Sequence, residues 1–138
     1  MKKYAVSVWL LITMLSVAGC PAGNGGPTGP TTAAPTLTDV TTSAPPQGIH
    51  RGELLIFYIG FVDLSGDLNG GPAVVTDDED YRYDNLFVSN AEGTSGTLTL
   101  TITVNNLLTP GKQHLFTVVV FDRAGNLSNS VPASVMVL

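Results

Sequence analysis

The chain has 138 residues, 43% of them hydrophobic and 12% charged, with 15 Gly, 9 Pro and a net charge of −5. That length suits one ordinary domain, and the breaker content argues against a helical one. The acidic balance excludes a nucleic-acid binder that works through a basic surface, the single Cys excludes a disulfide framework or a Cys-based zinc cluster, and two His leave almost nothing for a His-based metal site.

Residues 1–20 read MKKYAVSVWLLITMLSVAGC. Lys2 and Lys3 form a positive start, and the apolar stretch from Tyr4 to Val17 has the length of a secretory core. It is short of the roughly 20 residues a membrane-spanning helix needs. Val17, Ala18 and Gly19 before Cys20 resemble the lipobox of bacterial lipoproteins. Small side chains there admit a signal peptidase, and the Cys20 thiolate is the nucleophile that accepts a diacylglyceryl group. The resemblance implies cleavage before Cys20, a signal peptide over 1–19 and an acylated new amino terminus, and two or more acyl chains anchor a protein stably. Pro21 in place of the Asp that retains lipoproteins in the inner membrane favours the outer membrane. The 119 residues that remain carry four basic and eleven acidic side chains, a balance of −7.

Residues 20–49 read as a lipidated Cys and a disordered tether. Segment 21–48 holds six Pro, five Gly and seven Thr, with Leu37 and Val40 its only large apolar residues. Such a composition builds no core. From 50 to 138 the pattern predicts one domain. Leu54–Val62 is a continuous apolar run, read as a buried strand. Asn69–Pro72 marks a turn before a short strand from Ala73 to Thr76, and Tyr81, Tyr83, Leu86 and Val88 point to one or two more. Over Thr97–Val104 leucine, isoleucine and valine alternate with threonine, the mark of a sheet with one wet face. Strands over Leu115–Phe121 and Val131–Leu138 close the chain. Six or seven short strands without helical periodicity predict an all-β fold, a small β-sandwich.

The last third carries a second resemblance. Leu108, Pro110, Gly111, His114 and the alternating Phe116, Val118 and Val120 look like the fibronectin type III pattern that leads into a tyrosine-headed strand, with His114 standing where the corner tyrosine would be. The turn Asp122-Arg123-Ala124-Gly125-Asn126-Leu127-Ser128 is similar to one between the last two strands of bacterial immunoglobulin-like domains. Asp122 suits a bond to the turn backbone, and Gly125 and Asn126 tolerate positive φ. From the corner, His114 can still donate a hydrogen bond to the backbone. The resemblance implies an immunoglobulin-like or fibronectin type III-like sandwich of about seven strands and no particular activity.

Candidate sites are few. Phe61-Val62-Asp63-Leu64-Ser65-Gly66-Asp67-Leu68-Asn69 resembles an acidic segment of cadherin-like modules that binds calcium, with Ser65 in place of its middle Asp. Asp63, Asp67 and Asn69, completed by Asp77 and Asp78 if the loops meet, form a candidate calcium set, since calcium wants six to eight oxygens. The same residues are ordinary turn formers, and the acidic run 77–84 is equally a solvated loop. Tyr81 and Tyr83 alternate and would share a strand face, either stacking on sugar rings or packing within the sheet. No nucleophile elbow, zinc-protease motif or phosphate-cradling loop follows the leader, so catalysis is not expected. The expectation is a non-catalytic lipoprotein of the bacterial envelope, periplasmic or surface-facing, presenting a sandwich for protein binding or a structural role. The alternatives are a calcium-stabilised adhesion module, a carbohydrate-binding accessory module and a small subunit of a secretion or transport assembly. Its expected partners are the membrane, through the lipid, and an envelope protein or glycan.

Overall fold

The computed structural model describes residues 33–138, so the signal peptide, the lipobox and Cys20 lie outside the described residues, as does the tether up to residue 32. Over the described part the chain forms seven strands: β1 (Thr36–Thr42), β2 (Leu54–Val62), β3 (Pro72–Thr76), β4 (Arg82–Phe87), β5 (Ser95–Thr103), β6 (Lys112–Val120) and β7 (Val131–Val137). They make two antiparallel sheets, ordered β1-β2-β5 and β4-β3-β6-β7, packed as a small β-sandwich. The fourth strand pairs with β3 and not with β5, so three strands face four.

Period-two patterning accounts for the core. Leu98, Leu100 and Ile102 of β5 point inward beside Ile59, Phe57 and Leu55 of β2, their register partners. Phe116, Val118 and Val120 of β6 face them from the other sheet, and the Phe57 and Phe116 rings meet edge to face with centroids 6.0 Å apart. The threonines between the inward residues of β5 lie on the outer face, as the alternation predicts.

Two expectations are corrected here. The run Leu54–Val62 is not buried on both faces: Leu54, Tyr58 and Val62 are exposed, because among the described residues no layer covers the outer side of the three-stranded sheet. The tether is also shorter than 20–49. Residues 36–42 form β1, which pairs with β2 from Thr36↔Val62 to Thr42↔Phe57 and buries Leu37 in the core. One buried leucine and one strand ladder suffice to order a segment whose average composition reads as linker. A bulge between Leu37 and Val40 folds Thr38 and Asp39 over Gly60, where any Cβ would collide with their side-chain oxygens. Across the sandwich, Asn129 holds both main-chain groups of Leu37, accepting from its N–H (2.7 Å) and donating to its carbonyl (2.9 Å).

Strand direction sorts the loops into two ends. The near pole, where the chain arrives at β1, carries loops 63–71, 88–94 and 121–130. The far pole carries 43–53, 77–81, 104–111 and the carboxyl end at Leu138.

Candidate functional site

The buried acids are loop staples. Asp63 accepts the N–H of Ser65 and of Asp67 (3.2 and 2.9 Å), and Asp77 accepts those of Glu79 and Tyr81 (both 3.0 Å). Asp122 accepts the Asn126 N–H and the Asn126 side-chain amide, each at 2.7 Å. In each case a short side chain at the end of a strand caps amides two to four residues on, which a turn would otherwise leave unpaired. Asn126 therefore serves through its side chain, while the left-handed conformation falls on Gly125 (φ 89°).

The calcium set does not assemble. Asp63, Asp67 and Asn69 lie at the near pole, whereas Asp77 and Asp78 lie at the far pole, separated by the five residues of β3, roughly 15 Å of strand. Both carboxylate oxygens of Asp63 are taken up by its own loop, and Asn69 donates to Glu92 (3.1 Å). Among the described residues no group of three or more His, Cys, Asp or Glu is placed to hold a metal.

The tyrosine pair is corrected as well. Tyr81 precedes β4 and is 45% exposed, but Tyr83 points into the core at 8% and packs against Phe116. Their rings meet edge to face at 4.8 Å, so Tyr81 rests on Tyr83 and the two form no shared flat surface. The Tyr83 hydroxyl accepts the Asn105 N–H (3.1 Å) and faces Asp77. Burial, opposed by the Asn105 bond and assisted by the Asp77 charge, pushes its pKa up to about 12.

The densest polar arrangement at the far pole was not legible in any single stretch of sequence. Asp78 and Glu79, from the turn after β3, meet Thr109, Lys112 and His114. Glu79 accepts the Thr109 N–H and the Lys112 ammonium (3.1 Å). His114, fully buried, bonds the Thr109 carbonyl through Nε2 as expected of a corner residue, and also meets Asp78 through Nδ1, both at 2.8 Å. That acidic partner lies 36 residues away, too far for sequence spacing to signal it. Burial raises the Asp78 carboxyl, but its bond to His114 and the charge of Lys112 outweigh that and hold it below the usual carboxylate range. Glu79 is lowered as well, chiefly by its bond to Thr109 and then by Lys112.

Beside this cluster the loop 104–111 is held rigidly. Asn105 Oδ1 accepts the Leu107 N–H (3.0 Å), and the Arg51 guanidinium donates to the Asn106 carbonyl (3.1 Å). Leu107 at its tip is the most exposed large apolar residue described, at 82%. Between the free edges of β4 and β5 an open cleft of about 540 Å³ is lined by Tyr81, Arg82, Asn85, Thr101 and Thr103. No family model matches this chain, and no curated protein or solved structure matches it.

Proposed function

We propose that the chain is a lipid-anchored protein of the bacterial envelope whose sandwich is a non-catalytic module for protein binding or structural support, with the far pole as its contact surface. One observation carries the choice of pole: the chain arrives at the near pole, so an anchor at Cys20 leaves the opposite loops facing away from the membrane. Those loops present a leucine on a braced tip and an exposed tyrosine, features suited to recognition on a rigid scaffold. With β1 belonging to the domain, the segment between anchor and domain is residues 20–35, at most about 55 Å when fully extended.

The buried titratable groups support a non-catalytic reading, since each already holds main-chain or side-chain partners within the fold. The test is co-purification of the full chain from its own host, with the affinity tag placed in residues 21–32 so that Leu138 at the far pole stays clear. A partner recovered near one-to-one, and lost in Leu107→Asp, supports the reading. Loss of fatty-acid labelling and release from membranes in Cys20→Ala supports the anchor. A partner retained by Leu107→Asp but lost on changing near-pole loops overturns the choice of pole.

A further inference from the structure

We propose that β5 carries a docking slot for a short extended segment of a partner polypeptide, at the main-chain edge of Thr101 and Thr103. The inference rests on the sandwich being a protein-binding module and adds the form of the contact. Val104 bonds on its β2 side, donating to the Glu53 carbonyl (2.9 Å) and accepting the Gly52 N–H (2.8 Å). By alternation Ile102 and Leu100 also bond toward β2, while Thr99, Thr101 and Thr103 turn their main-chain groups the other way. Thr99 is occupied: it donates to the Ser89 carbonyl (2.9 Å) and accepts the Ser89 N–H (3.3 Å). At the other end the Asn105 N–H goes to the Tyr83 hydroxyl (3.1 Å). Between these stops the N–H and C=O groups of Thr101 and Thr103 have no protein partner among the described residues.

The other three sheet edges are blocked. β1 is bulged between Leu37 and Val40, and Asn129 takes both main-chain groups of Leu37. On β7 Pro132 offers no N–H, and Ile49 donates to the Met136 carbonyl (2.9 Å). The pairing of β4 shifts register between Ala73 and Val75, with Asn85 at φ 59°, and its edge carries the charged Arg82 and Asp84. Bulges, prolines, charges and covering segments keep foreign strands off a sheet. Thr101 and Thr103 carry none of these devices; exposed, uncharged and β-branched, they suit pairing.

The unpaired groups define what fits. Two donors and two acceptors on alternate residues are complemented by residues i and i+2 of an antiparallel strand, each exchanging both bonds. Antiparallel is the polarity that Ser89 already adopts at Thr99. The stops leave room for about three residues, roughly 10 Å of strand. The middle one lies opposite Ile102 and shares its inward face, over Tyr83 and Leu86 in the cleft of about 540 Å³, so it is apolar. Its two neighbours stand on the wet face beside Thr101 and Thr103 and are polar. A second copy of this chain is not the occupant. Self-pairing through all four groups sets Thr101 opposite Thr103 of that copy, which puts its Asn105 where Ser89 already stands opposite Thr99.

The test supplies such a segment in cis to the full chain, as a tail after Leu138 of about twelve glycine–serine residues ending in five of alternating threonine and valine. Leu138 and Thr103 share the far pole, and the linker's root-mean-square span of roughly 19 Å exceeds the three strand spacings, about 14 Å, from β7 to β4. Linkage holds the segment at a millimolar effective concentration. Amide exchange is read by NMR. In the unaltered chain the Thr101 and Thr103 amides should exchange at least tenfold faster than those of Leu100 and Ile102. With the tail they should slow at least tenfold, and a tail ending in five prolines, which has no donors there, should leave them fast. Thr101 and Thr103 amides already as protected as their neighbours overturn the proposal. So does a threonine–valine tail that slows neither, or a proline tail that slows both equally. None of these outcomes depends on Leu107, so the slot and the far-pole contact can fail separately.

Discussion

Asn129→Ala probes whether β1 belongs to the domain. The Asn129 side chain imitates a neighbouring strand for Leu37, taking its N–H at 2.7 Å and giving to its carbonyl at 2.9 Å, and it reaches 92 residues along the chain to do so. Each such bond contributes about 1 kcal/mol net, and a main-chain group left shielded without a partner costs about 1–3 kcal/mol. Leu37 is 3% exposed, so water reaches its peptide groups poorly and the expected loss is roughly 2–4 kcal/mol. At about 4–8 °C per kcal/mol for a domain of this size, melting should fall by roughly 8–32 °C. Circular dichroism melts measure it, and hydrogen exchange at the Leu37 amide should rise in parallel. Asn129→Asp keeps the acceptor but sets a carboxylate against the Leu37 carbonyl, so it should be no better than alanine. A melting change below about 2 °C in both variants, with Leu37 exchange unaltered, would refute the reasoning and return 36–42 to the tether.

Other perturbations test the remaining packing and electrostatics. Gly71→Ala drives a Cβ into the Phe121 carbonyl, backbone that cannot step aside, and should cost more than about 3 kcal/mol in a denaturant melt, whereas Gly93→Ala meets open space and is strained only by its φ of 82°. Lowered carboxyls at Asp78 and Glu79 contribute stability that is present above the ordinary carboxylate range and lost as pH falls through their folded values, so acid unfolding should begin below about pH 4 and flatten in Asp78→Asn/Glu79→Gln. Tyr83, with its pKa raised to about 12, favours folding below the ordinary tyrosine value of about 10 and loses that contribution as pH rises toward 12; absorbance titration should show one late tyrosine step, absent in Tyr83→Phe. Adding millimolar calcium should leave melting unchanged, since the five candidate ligands are divided between the two poles; a rise abolished by Asp67→Ala would show instead that the near-pole trio binds alone.

Local patterning determined much of this protein. Alternation in Thr97–Val104 fixed which face of β5 is wet, because side chains in a strand change sides at every residue. Turn chemistry placed Asp122 as a cap and Gly125 at positive φ, and the corner spacing sent His114 to the Thr109 carbonyl, since those bonds span only a few residues. What depends on contacts distant along the chain could be settled only by the tertiary structure. Leu37 looks like linker until Asn129 and β2 close around it, and Leu54–Val62 looks buried until the outer face of its sheet is found uncovered. Asp63 and Asp77 sit fourteen positions apart in the sequence yet at opposite ends of the sandwich, because an extended strand carries the chain from one pole to the other. Asp78 and His114 sit far apart in sequence yet touch, because antiparallel pairing of β3 with β6 returns the chain to the same end, and only the fold could put that carboxylate beside that ring.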